Sequence, residues 1–188
     1  MKTSDRQAIP YRRRTIIAAT MNGQASAMVY PERKRFDGAA LSDAIRQAKA
    51  WIDIDWSVRH TTRRAPHIAS ALEYAEALGA VNVNEWEVLM LKAHAAAPER
   101  QLTATEIARA AGYADYSAAN MHYGKLARRV AEHLELTVPA REDGTPVWTC
   151  ALAAEGTPNL EAGAPEFVWR MHEEVAAALE QMNWKGKQ

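Results

Sequence analysis

The stretch Leu102–Val130, LTATEIARAAGYADYSAANMHYGKLARRV, decides how the rest of the chain is read. Its first half has Thr103 with Glu106 three residues later, the spacing of a helix capping box. The small apolar step Ala110–Tyr113, AAGY, then predicts a sharp turn into a second helix over residues 116–135. At about 100° per residue, Ala119, Tyr123, Leu126, Ala127, Val130 and Leu134 gather on one side of that helix. They predict its packing face. Ser117, Met121, Gly124, Lys125 and Arg128 gather opposite, with His122 and Arg129 at the border. A core does not need this polar, cationic side.

DNA suits it chemically. Lys125 and Arg128 have the reach and charge for phosphate or guanine O6/N7, and Arg129 at the border is counted with them as a DNA contact. Ser117 and Asn120 can hydrogen-bond base edges or phosphates, and Met121 can touch a base methyl group. Gly124 leaves room for close backbone approach. Helix, short turn, helix, strand is the order of a winged helix-turn-helix, whose first helix braces while the second enters the major groove. The plainer alternative is that Lys125, Arg128 and Arg129 solvate an amphipathic helix. Residues 102–136 hold 4 Lys and Arg against 4 Asp and Glu, and Glu132 and Glu135 would repel phosphate.

Working outward, Asn22-Gly23 predicts a tight turn between two strands in RRRTIIAATMNGQASAMVYPERKRF. A helix follows, with Leu41, Ile45, Ala48 and Ile52 at helical spacing and Asp37 or Ser42 as cap. Residues 1–56 thus read as a basic hairpin–helix unit with a frayed start, and residues 57–65 as a linker. In residues 66–188 a helix is expected from Pro66 to Gly79. A second is capped by Asn84, with Trp86, Leu89, Met90 and Ala93 as its apolar stripe. VWTCALA, Val147–Ala153, reads as a strand or half of a wing-like hairpin, with Cys150 in it. The last helix is expected from Phe167, Val168, Met171, Val175, Ala178, Leu179 and Met182. The fold class is α+β, mostly helical: a hairpin plus helix, then a winged helix-turn-helix-like domain.

The chain of 188 residues is 48% hydrophobic and 24% charged, enough to bury a core without staples. Its single cysteine forbids an internal disulfide. No run reaches the ~18 apolar residues of a membrane span, and the N-terminus lacks a signal-peptide core. A cytoplasmic, membrane-free protein is expected. Net charge is zero, yet residues 1–65 hold 13 Lys and Arg against 6 Asp and Glu, and the remainder 10 against 17. Arg12, Arg13, Arg14, Arg33, Lys34 and Arg35 flank the predicted strands and crowd at the open end of the hairpin. They invite DNA phosphate or the acidic remainder of the chain.

A resemblance follows from three blocks. Thr103–Tyr113 fits T-x-x-E-I/L-A-x-A-x-G-Y. Tyr116, Ala118, Ala119, Asn120, Tyr123, Gly124, Lys125, Leu126 and Ala127 fit Y-x-A-A-N-x-x-Y-G-K/R-L-A. Trp169–Leu179 approaches W-x-M/L-R-P-E-x-x-x-A-L but lacks its proline, with His172 and Glu173 at the arginine–proline step. Over residues ~66–184 the chain resembles winged-helix DNA-reading modules that accompany bacterial HNH and restriction-type nucleases. The resemblance implies a DNA reader serving a catalytic part on another chain.

No HNH, H-E-x-x-H, phosphate-loop or G-x-S-x-G motif is present, and one cysteine excludes a Cys₄ zinc site. No catalytic residue, metal or cofactor is therefore expected. Trp51, Trp56, Trp86, Trp148, Trp169 and Trp184 read as core candidates; Trp56, beside Arg59, Arg63 and Arg64, is the one placed to stack on a base. The leading reading is a non-catalytic protein that binds duplex DNA with helix 116–135 and adds phosphate contacts from the hairpin. The alternative is a phage- or bacteria-encoded inhibitor or adaptor that binds a protein of a restriction, defence or nucleic-acid-processing system.

Overall fold

The computed structural model describes residues 4–156 and 167–182. The chain divides into two compact units, Met1–Thr61 and Thr62–Gln188.

In the first unit β1 (Ser4–Tyr11), β2 (Arg14–Met21), β3 (Gln24–Tyr30) and β4 (Lys34–Gly38) form an antiparallel meander in chain order. The expected two-strand hairpin is thus the middle of a four-stranded sheet. Asn22 and Gly23 both take positive φ, 51° and 76°, between paired Met21 and Gln24, as the dipeptide favours. The turn from β1 to β2 uses the same kind of backbone with Arg12 and Arg13, at 43° and 62°. Arginines do not signal such a turn, so β1 reads as a frayed end from sequence. α1 (Leu41–Thr61) buries Ala44, Ala48, Ile52 and Trp56, one residue per turn. The first three pack with Ile16, Ala18, Ala27 and Val29 of the sheet. The helix runs on through residues 57–61, where a linker is expected.

The second unit begins with α2 (Ala71–Ala80), α3 (Glu85–Ala96), β5 (Gln101–Thr103) and α4 (Ala104–Ala110). It continues with α5 (Tyr116–Leu134), β6 (Ala153–Glu155), β7 (Val168–Met171) and α6 (Glu173–Met182). Ser70–Glu73, Asn84–Glu87 and Thr103–Glu106 form capping boxes that start α2, α3 and α4. The first helix therefore starts after Ser70 rather than at Pro66. The small antiparallel sheet has the order β5-β7-β6. Tyr74, Met90, Leu91, Ile107, Tyr123, Leu126, Leu134 and Leu152 form the centre of the unit's core.

Three further expectations are corrected in this unit. Trp148–Ala151 is a 3-10 turn, so Cys150 lies outside the strand, which starts at Ala153. The last helix starts only at Glu173, because Val168–Met171 is the central strand of the sheet. On α3 the buried face is Val88, Met90, Leu91 and His94 with Glu87, while Trp86 and Leu89 are exposed. The expected core position of Trp184 lies outside the described residues. Among the described residues, no helix is long and apolar enough to cross a membrane.

Candidate nucleic-acid interface

Gly112, at φ 75°, takes the chain out of α4, and the Tyr113 N–H donates back to the Ala108 carbonyl. The Asp115 carboxylate then accepts from the Ser117 N–H and caps α5. α4 packs against α5 across this joint. α5 buries Ala119, Tyr123, Leu126, Ala127, Val130, Ala131 and Leu134, which includes every position expected on its packing face. Ser117, Met121, Lys125 and Arg128 are exposed on the other side, and Asn120 is half-buried.

These side chains differ in what they offer a ligand. Lys125 has no ion pair among the described residues. Arg128 donates to Glu132 at 2.7 Å and lies over the Trp148 ring at 5.5 Å, with more than half of its side chain exposed. Arg129 is committed elsewhere: it donates to Glu87 at 2.7 Å, and Glu87 is buried. That pair ties α5 to α3.

β7 is locked to α5 by a buried histidine. His94 Nδ1 lies 2.9 Å from the Tyr123 hydroxyl, and Nε2 lies 2.9 Å from the Trp169 carbonyl. A carbonyl only accepts, so Nε2 carries the proton and Tyr123 donates to Nδ1. Burial pushes the His94 pKa down to about 4, which keeps the ring neutral. Tyr123 also stacks on Trp169, with ring centroids 5.2 Å apart.

Where the starts of α4 and α5 meet β7, Ala104, Thr105, Tyr116, Asn120, Phe167 and Trp169 line a cavity of about 450 Å³. Phe167 meets Trp169 edge-on at 6.3 Å. The Asn120 Oδ1 is buried without a hydrogen-bond partner. Only Asn120 is a candidate from sequence among these six. Tyr116 has a signal in its place one turn before Asn120, whereas Phe167 and Trp169 are hidden by the helix expected there.

In the first unit the two turns carrying the basic residues do lie together, at the end of the sheet opposite Asn22-Gly23. Most of their charge is already met within the unit. Arg12 pairs with Asp53 at 2.6 Å, and hydrogen bonding to Tyr11 and then to Asp53 holds its pKa above the ordinary value. Arg14 keeps only 9% of its side chain exposed, paired with Glu32 at 2.6 Å and Asp55 at 2.7 Å. Arg35 pairs with Asp37 at 2.9 Å. Arg13 lies 4.4 Å and Arg12 5.5 Å from the Trp56 ring centroid, and His60 meets that ring edge-on. Trp56 is therefore a buried, covered ring rather than an open stacking platform. Arg33 and Lys34 are exposed without an ion pair among the described residues.

Among the described residues, no cluster of three or more His, Cys, Asp or Glu forms a metal site. Comparison with protein-family models, curated proteins and solved structures gave no match for this chain.

Proposed function

We propose that this protein binds duplex DNA without catalysing a reaction on it, through the exposed face of α5. The observation that carries the reading is the arrangement α3, β5, α4, α5, β6, β7, with β7 paired between β5 and β6. This order and pairing support a winged helix-turn-helix reading, in which α5 would serve as the recognition helix and β6 and β7 as the wing strands. Ser117, Asn120 and Met121 then face bases or phosphates, and Lys125 and Arg128 meet phosphates. The resemblance to nuclease-associated DNA readers supports the same use, with the catalytic part on another chain.

Fluorescence anisotropy with labelled duplex at two salt concentrations tests this. Lys125→Ala and Arg128→Ala should each weaken binding and lower the salt slope by about one, with the helical circular-dichroism signal intact. Untouched binding in both variants would overturn the role of α5.

A second reading, an inhibitor or adaptor that docks on a protein of a defence or nucleic-acid-processing system, is favoured by one observation. Ile54 and Val58 stand exposed one turn apart on α1. Partner binding abolished by Val58→Glu, without duplex binding by the unaltered chain, would select it.

A further inference from the structure

We propose that the cavity at the starts of α4 and α5 receives a single unpaired nucleobase, adenine above all. The proposal rests on the DNA-binding reading and names what that surface selects. Three aromatic rings, Tyr116, Phe167 and Trp169, surround a space of about 450 Å³. Trp169 is held in place by its stack on Tyr123 and by the His94 bond to its carbonyl. Tyr116 and Phe167 are 55% and 54% exposed, large rings left in water. A planar base offers π faces to such rings, and each base–aromatic stack contributes about 5-fold or more to affinity.

Asn120 gives the cavity its polar mark. Asn120 is one of the residues lining the cavity, and its Oδ1 is buried without a hydrogen-bond partner, which is costly. The carboxamide turns about a broad χ2 torsion. It can then accept from the adenine N6 amine and donate to N7, the bidentate pairing of asparagine with adenine. Farther along α5, Lys125 and Arg128 are exposed, cations for the phosphates flanking the inserted nucleotide. A base stacked and paired in a duplex cannot enter a cavity. The occupant is therefore flipped from a duplex or belongs to a single strand.

Anisotropy with the full chain tests this on four labelled oligonucleotides of one sequence. They are a paired duplex, the same duplex with its central adenine opposite an abasic site, that duplex with unsubstituted purine replacing the adenine, and the single strand. The adenine opposite the abasic site should bind about 5-fold or more tighter than the paired duplex. Purine, which lacks the amine, should lose part of that gain, and Asn120→Ala should abolish the difference between adenine and purine. A gain as large with the single strand would support the same pocket and identify strand, rather than flipped duplex, as its source. Tyr116→Ala and Phe167→Ala should each reduce the gain to near unity with the melting temperature and paired-duplex affinity retained. Equal binding of paired and unpaired duplexes, or a gain that survives both variants, would overturn the pocket and leave the DNA reading standing. If no oligonucleotide binds, the DNA reading falls. Titration with adenosine monophosphate then decides the pocket: saturable quenching of tryptophan emission that Tyr116→Ala removes upholds it, and no quenching overturns it.

Discussion

Arg129 and Lys125 stand one turn apart on α5 and do different things. Lys125 is open to solvent, while Arg129 neutralises a glutamate that is 1% exposed. Arg129→Ala leaves Glu87 buried without its cation. Stability should fall by about 2–3 kcal/mol, below the full buried-pair figure because a third of the arginine side chain is in water. Chemical denaturation measures this; unchanged stability with weakened DNA binding would return Arg129 to the DNA face. His94 sets a pH dependence. An unfolded histidine takes its proton near pH 6.5, the folded one near 4. Between these values the unfolded chain holds one proton more, so stability falls as pH drops from 6.5 to 4 and is flat above. The gap corresponds to about 3 kcal/mol. Burial, with Arg64 nearby, pushes His67 and His172 in the same direction and adds to the loss. Denaturation at pH 7, 5.5 and 4.5 should show the loss, reduced in His94→Gln; an equal slope in that variant would remove His94 as its source.

At the scale of the element, α5 owes its place to one apolar stripe rather than to strong intrinsic preference, since it contains Gly124, two tyrosines and Val130. Leu126 is fully buried at the middle of that stripe. Leu126→Ala should cost roughly 2–5 kcal/mol, the range for a large-to-small change in a core. A thermal melt unchanged within error would show the face to be exposed and would reverse the orientation of α5 on which the DNA reading depends. The β1–β2 turn shows the opposite balance. Its Arg12 and Arg13 adopt backbone angles that arginine disfavours. Contacts of the two guanidiniums with Asp53 and Trp56 help hold them there.

Across the whole molecule the zero net charge conceals local settlements. In unit one, Asp53, Asp55, Glu32 and Asp37 answer Arg12, Arg14 and Arg35. In unit two, Arg63 pairs with buried Glu73 at 2.7 Å, and Arg64 with Glu174 at 2.8 Å. The basic first third of the sequence thus presents less free charge than its composition suggests. Each unit also has its own core. Removing residues 1–61 should leave residues 62–188 with a cooperative melt. The salt slope of duplex binding should fall by about two, for Arg33 and Lys34. A fall of about six would mean that the whole basic end reaches phosphate. No fall would exclude that end from binding.

The local chemistry of this chain is legible without a structure. Asn22-Gly23, Thr103 with Glu106, and Asn84 act through neighbouring backbone atoms, so their turn and caps follow from a few adjacent residues. The packing face of α5 follows as well, because a single apolar stripe at helical spacing has one way to be buried. The candidate contacts Ser117, Met121, Lys125 and Arg128 follow from it by exclusion. Strand β7 was not legible: Phe167, Val168 and Met171 match a helical period, and only pairing to β5 and β6 makes that segment a strand. Nor were the roles of the arginines, because a guanidinium's partner lies far along the chain, Asp55 for Arg14 and Glu87 for Arg129. The aromatic cavity came from tertiary structure alone. Its walls are drawn from α4, α5 and β7, and their proximity depends on how the three pack, which no local spacing encodes.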